Sequence, residues 1–293
     1  MRIASGAAYL KRAARQTIRR SIPLPVRKRM AVWIDRQKWI NADRRAWWSV
    51  ELIQDLAQKN AGEYHKFLWS NHLAYAASYE ASARFGAENM KPSRRMFFSD
   101  LRRHLDPSRI DPMRAPLSIF EVGCSSGYQL RYLETDLFPM AKELEGVDID
   151  PYAIDSGSEY LRRVGSKVRL KRGDIEDLDR LMGGKTYDLI LCTGVLMYLN
   201  EEAAAKVVGA MIRRAGALVA LAGLASPDID NARLQRSIPR DRDRSFVHNI
   251  DAMVTNAGGT ILARRWEGAR LVDGHTIYFV FATGNPQQER NVS

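Results

Sequence analysis

The chain is poor in cysteine, with only Cys124 and Cys192. That excludes a disulfide framework and points to free thiols in a reducing, cytoplasmic setting. Five histidines are scattered without ligand spacing, so no metal site is expected. No apolar run approaches the roughly 20 residues that span a bilayer. Near the start, Arg and Lys every few residues interrupt any signal-peptide core. There is no internal repeat, and no dinucleotide fingerprint of three glycines in register. What remains is 293 residues at 45% hydrophobic, enough for one sizeable core and an accessory segment.

Charge is unevenly spread. The net +11 sits in residues 1–45, which hold 13 Lys and Arg against two acids, while the remainder balances at 32 of each. Within this leader Ile3, Ala7, Leu10, Ala14 and Ile18 recur at helical spacing, with Lys11, Arg12, Arg15 and Arg19 on the other side. Pro23 and Pro25 are expected to stop that helix. Two readings compete: a solvated arm, or a helix over residues 1–22 lying on an anionic membrane at its inner face. A nucleic-acid arm fits poorly beside a neutral remainder, and an organelle transit peptide shares the Arg-rich, acid-poor composition.

Residues 46–114 read as a helical accessory or lid segment. Trp47, Trp48, Val50, Leu52, Ile53, Leu56 and Ala57 share a helical period, continued by Tyr64, Phe67, Leu68 and Trp69. Aromatics at this spacing are expected in a core, packed on the following domain. Asn71, His72, Tyr75, Tyr79, Glu80, Arg94 and Arg95 are the polar members that could point inward. Pro107, Pro112 and Pro116 mark a linker. The expected domains are therefore 1–45, 46–114 and 115–293.

Residues 117–128 carry the sharpest signal. A β-branched apolar run ends in Glu121, and a loop of Gly123, Cys124, Ser125, Ser126 and Gly127 follows before a helix-like pattern begins. This is a buried strand turning sharply into a helix, with glycines where a ligand approaches backbone. About 20 residues on, a second strand ends in Asp148, a position suited to ribose hydroxyls. Further strands lead to Gly173 and Asp174, to Cys192 and Thr193, and to Gly223. Alternating strands and helices predict an α/β parallel sheet with its ligand at the carboxyl ends.

This order resembles the class I S-adenosylmethionine-dependent methyltransferases, over residues 115–283. The resemblance implies a Rossmann-like, seven-stranded, mostly parallel sheet with helices on both faces. Its first strand would be central, and residues 264–267 and 276–282 would be the sixth and seventh strands, the last antiparallel. It also implies S-adenosyl-L-methionine as cofactor. Glu121, Gly123, Cys124, Ser125 and Gly127 would hold the methionine part and Asp148 the ribose. Asp174 would contact the adenine amino group, with Ile175 on the ring, and Cys192 and Thr193 would face the sulfonium. Ser125 departs from the family, which usually has glycine there.

Methyl transfer needs alignment above all, because the sulfonium is already activated; a sugar hydroxyl also benefits from a base. His248 is the first candidate base, His72 the second and Tyr198 the third. The segment after Gly194 lacks the Asn/Asp-Pro-Pro-aromatic signature of nucleic-acid amino methylation and the paired-glutamate loop of arginine methylation. The expected acceptor is therefore a small molecule or glycan, O-methylated as a saccharide or lipid-linked saccharide. The alternatives are N-methylation of a small molecule and a catalytically silent binding partner; nucleic acid is disfavoured. The polar stretch 226–245 is expected to cover the acceptor pocket as an ordered lid or a mobile loop.

If residues 1–22 bind a membrane surface, deleting them should release the protein from anionic vesicles and leave cofactor binding intact. At about 1 kcal/mol per basic residue near such a surface, Lys11, Arg12, Arg15, Arg19 and Arg20 suffice, and salt should weaken the attachment steeply. Equal sedimentation with neutral and anionic vesicles would favour the solvated arm.

Overall fold

A computed structural model describes residues 21–73, 90–105 and 117–284. The leader helix expected over residues 3–18 lies outside these residues, as do Tyr75, Tyr79 and Glu80. The chain divides into two compact units, with the division between Ala77 and Ser78.

The described part of the first unit is all helical: α1 (Leu24–Asp35), α2 (Ala42–Glu51), α3 (Gln54–Lys59) and α4 (Ala61–Ser70). Pro23 caps α1 and Pro25 lies in its first turn. Proline is tolerated there because first-turn amides have no intrahelical partner. Asn41 and Asn60 cap α2 and α4 by accepting from the amides of Asp43 and Glu63. The core is Ala31, Leu52, Ile53, Leu56, Leu68 and Leu73. Trp47 and Trp48, expected inside, are 43% and 41% exposed. The expected boundary at residue 45 falls inside α2, and Arg27 of the basic leader is structural. Its guanidinium donates to both Asp55 oxygens and to the Leu52 carbonyl, which holds the Asp55 carboxyl below its usual range.

The second unit is built on a seven-stranded sheet. Its strands are β1 (Ser118–Val122), β2 (Glu143–Asp148), β3 (Arg169–Arg172), β4 (Tyr187–Thr193), β5 (Ala215–Gly223), β8 (Thr260–Val272) and β9 (His275–Thr283). Their order is β3-β2-β1-β4-β5-β9-β8. β1 pairs in parallel with β2 and β4, so it is central, as expected. β9 runs antiparallel to both β5 and β8. β8 and β9 are longer than expected because Asp273 and Gly274, both at positive φ, turn one directly into the other. β6 (Ile238–Pro239) and β7 (Phe246–Val247) form a separate small hairpin.

Helices cover the sheet through two apolar clusters. α5 (Pro92–His104) sets Phe97 against Phe279 and Phe281, and Asp100 takes a bidentate pair from Arg265. It therefore belongs with the sheet, although the expected boundary at 114 grouped it with the preceding helices. α6 (Tyr128–Tyr132) follows β1, α7 (Pro151–Arg163) follows β2, and α8 (Leu178–Met182) follows β3. α9 (Glu201–Arg214) and α10 (Ile250–Asn256) follow β4 and β5. Asp150, Asn200 and Asn249 cap α7, α9 and α10.

Glu145 on β2 is 2% exposed. Burial raises its carboxyl, but bonds and charge from Lys171 and Lys185 outweigh that and hold it down to about 2. A depressed carboxyl stabilises the fold above its unfolded value and loses that contribution as pH falls through the folded one. Glu145→Gln is therefore expected to cost about 1–3 kcal/mol at neutral pH. Denaturant titrations should show the gap between wild type and variant closing between about pH 4.5 and 2. A gap independent of pH would show that shape, and not charge, matters at this position.

Candidate functional site

The loop after β1 is shaped by backbone. The amides of Gly123 and Cys124 both donate to the Val147 carbonyl, at 2.8 and 3.0 Å, tying the loop to the end of β2. Gly123 has φ +74°, and a Cβ there would meet Val195 Cγ2 at 2.3 Å. Ser125 occupies φ +51°, the left-handed region that glycine favours. Its amide donates to Asp148 Oδ2 at 2.8 Å, while the Asp150 amide donates to Oδ1 at 2.9 Å. Those bonds hold the strained serine and orient the Asp148 carboxylate, whose pKa burial raises.

Glu121 is fully buried, and burial pushes its carboxyl well up, opposed by Arg94. Gln129, on the first turn of α6, donates from Nε2 to Glu121 Oε1 and to Thr193 Oγ1, each at 2.8 Å. Among the described residues Glu121 Oε2 is buried without a hydrogen-bond partner. Gln129 is missing from the residues read out of the sequence; its position two residues after Gly127, in a helix opening under the loop, was the available signal. Asp174 caps the turn Ile175–Asp177 by accepting from the Glu176 amide, and Ile175 is buried beside it. Gly173 donates to the Asp148 carbonyl, so the ends of β2 and β3 are knitted together. Glu121, the 123–127 loop, Asp148, Asp174 and Thr193 thus share the carboxyl edge of four adjacent strands.

Both cysteines play passive parts. Cys124 contributes its amide to the loop while its thiol packs against Gly146 and Leu130. Cys192 lies in the apolar cluster with Val122, Val147 and Leu196, and burial pushes its thiol up to about 12. Neither is a nucleophile at neutral pH.

Residues 119–215 match the model of a family described as a methyltransferase domain. That segment, a third of the chain, is similar to a methyltransferase domain. No curated protein matches it. Among solved structures, magnesium protoporphyrin IX methyltransferase of Synechocystis, with bound S-adenosylmethionine, is 13% identical at a TM-score of 0.51, over 77% of this chain and 98% of that one. An S-adenosylmethionine-dependent methyltransferase of Clostridium acetobutylicum is 12% identical at a TM-score of 0.47, over 64% and 92%. At such identity the likeness to the Synechocystis enzyme speaks to the fold alone. S-adenosylmethionine is the ligand held by the Synechocystis enzyme. The residues present fit it: an orphaned buried carboxylate oxygen for an ammonium, a glycine cradle closed to any Cβ, and an oriented carboxylate for ribose hydroxyls.

The candidate bases fare differently. His248 is buried, with Nε2 2.9 Å from the Leu196 carbonyl and Nδ1 2.6 Å from Ser237 Oγ, so no ring nitrogen meets substrate directly. Tyr198 is half-buried, and burial, with Asp243 adding to it, pushes its phenol up to about 12. His72 belongs to the helical unit, at φ +55°. The stretch 226–245 is ordered. Asn231 donates to the Leu224 and His248 carbonyls and accepts from the Ser226 amide, and Asn249 donates to the carbonyls of Ala232 and Leu234.

Asp148→Ala removes the carboxylate expected to accept from the ribose hydroxyls and releases the Ser125 amide. Titration calorimetry with S-adenosylhomocysteine is expected to show binding weakened at least about 10-fold, the worth of one charge-assisted hydrogen bond. Unchanged affinity would exclude Asp148 from the site.

Proposed function

We propose that the chain O-methylates a small polyhydroxylated acceptor, a saccharide or lipid-linked saccharide, with Ser237 and His248 carrying the proton away. The observation that carries this is the tautomer of His248. The Leu196 carbonyl can only accept, so Nε2 bears the hydrogen and Nδ1 must accept from the Ser237 hydroxyl. Burial lowers the His248 pKa, so at neutral pH the ring is in its basic form. The acceptor hydroxyl gives its proton to Ser237 Oγ as Ser237 gives its own to Nδ1, and the freed oxygen takes the methyl group. Leu196 follows β4 directly, and Ser237 lies in the loop after β5, both beyond the carboxyl edge that holds the Glu121 loop.

Ser237 opens onto a groove of ≈ 530 Å³ lined by Leu234, Gln235, Arg236, Ile238 and Pro239, a volume in the range of small-molecule sites. Arg and Asp side chains along 226–245 supply the dense donors and acceptors that a polyol requires. No helix among the described residues is long and apolar enough to cross a membrane. A lipid-linked acceptor would be reached through the basic residues 1–22 lying on the bilayer surface.

His248→Gln should lower the methylation rate about 10²- to 10⁴-fold, and the wild-type rate should be flat above about pH 6.5 and fall below it. Ser237→Ala should lower the rate similarly while the pH limb persists. The assay uses labelled S-adenosylmethionine and a cell extract fractionated into lipid, glycan, RNA and small molecules, with label expected in glycan or lipid. Label in RNA, or a His248→Gln variant with lower melting temperature but wild-type rate and pH profile, would overturn the proposal.

A further inference from the structure

The helical unit carries exposed aromatic surface that its own packing does not use. Trp39 is 78% exposed and Trp33 59%, beyond even Trp47 and Trp48. Rings of this size are ordinarily drawn into a core or an interface. Here the core takes Ala31, Leu52, Ile53, Leu56 and Leu68, and the indoles stay outside it.

Their position follows from two bonds between α1 and α2. Ser49 Oγ donates to the Ala31 carbonyl at 3.1 Å, and Arg45 Nη1 donates to the Asp35 carbonyl at 2.6 Å. A step forward on α1 is thus matched by a step back on α2, so the two form an antiparallel hairpin in which Trp33 is level with Trp47. At a rise of about 1.5 Å per residue, Trp33, Trp47 and Trp48 stand within about 10 Å of the turn that joins the helices. Trp39 lies in that turn. Gln37 braces it: Nε2 donates to the Trp33 carbonyl at 2.8 Å, and Oε1 accepts from Trp39 Nε1 at 3.2 Å. Trp47 and Trp48 meet edge to face, with ring centroids 4.8 Å apart. Trp33, Trp39, Trp47 and Trp48 therefore gather at one end of the hairpin.

Charge at that end is mainly positive. Over residues 33–48, Arg36, Lys38, Arg44 and Arg45 stand against Asp35 and Asp43. Arg36, Lys38 and Arg44 are exposed, and among the described residues their side chains make no hydrogen bond or ion pair. Arg27 and Lys28, farther from the turn, are engaged with Asp55 and Glu63. Indoles beside arginine and lysine suit a membrane–water boundary, where the rings enter the headgroup layer and the cations meet lipid phosphates. A protein partner fits less well. Protein interfaces are depleted of lysine, and among the described residues of 33–48 every exposed large apolar side chain is a tryptophan.

We propose that the turn end of the α1–α2 hairpin docks on an anionic lipid surface, with Trp33 and Trp39 entering the headgroup layer and Arg36, Lys38 and Arg44 on lipid phosphates. This surface is built from the folded residues 33–48, separate from residues 1–22, and it holds whatever acceptor the sheet unit methylates.

The test uses the full chain with vesicles of phosphatidylcholine mixed with phosphatidylglycerol, and of phosphatidylcholine alone, each prepared with brominated acyl chains that quench tryptophan. Wild type should sediment with the anionic vesicles at low salt, with its fluorescence quenched. The double variant Trp33→Ala, Trp39→Ala should bind at least about 10-fold more weakly and lose most of the quenching. The double variant Arg36→Gln, Lys38→Gln should also bind about 10-fold more weakly, with a shallower dependence on salt. All four side chains are exposed, and an unchanged circular dichroism spectrum shows that each variant is folded. Sedimentation without quenching would place the attachment elsewhere, as in residues 1–22, and overturn the proposal. Equal binding to the two kinds of vesicle, or binding to neither, would overturn it too. A lipid-free dimer abolished by the tryptophan substitutions would assign the tip to a second copy of the chain instead.

Discussion

The donor site depends on one backbone arrangement, the two amides of Gly123 and Cys124 converging on the Val147 carbonyl. That junction forces the chain leaving β1 to bend over the end of β2, where Asp148 can take the Ser125 amide. The bend demands positive φ at Gly123, Ser125 and Gly127, and a serine accepts it at the middle position because Asp148 secures its amide. Left-handed backbone costs a non-glycine residue roughly 1–2 kcal/mol, comparable to one charge-assisted hydrogen bond. The cradle is thus held by a local balance between strain and a buried acceptor.

Polar groups at this edge are arranged in two ways. Glu121, Gln129 and Thr193 form a connected chain in which one carboxylate oxygen is left over. His248, Ser237, Asn231 and Asn249 form a second network in which the buried amides are matched to carbonyls and amides of the 226–248 segment. Buried polar groups left unsatisfied are costly, so they mark where a ligand belongs. Fully matched ones rigidify the loop that carries them. The first network leaves one carboxylate oxygen unmatched; the second holds the 226–248 segment in shape.

The fold was legible because the inner strands β1, β4 and β5 are buried on both faces. The sequence of such a strand is largely apolar and ends in a polar or small residue at the sheet edge, as near Glu121 and at Thr193. The helical unit was legible as helical but not in its packing. Trp47 and Trp48 share the helical period with Leu52 and Ile53, yet they lie on the exposed side of α2, because periodicity identifies a stripe without saying which stripe is covered. The basic leader misled for a related reason. A net count treats Arg27 like any other cation, whereas Asp55 and the Leu52 carbonyl draw it inside.

The sequence by itself determined where the parallel strands lie along the chain, the glycine-lined turn and the acids that end β1 and β2, because these follow from local chain stiffness, burial periodicity and short-range spacing. The tertiary structure decided what depends on encounters between distant segments. Arg94 lies far from Gly194 along the chain, and the docking of α5 against β9 brings its guanidinium close to it. The partners of the His248 ring were decided by the Leu196 carbonyl, 52 residues away. A ring nitrogen facing a carbonyl becomes a donor, and that contact, invisible in any local pattern, leaves the other nitrogen to accept from Ser237.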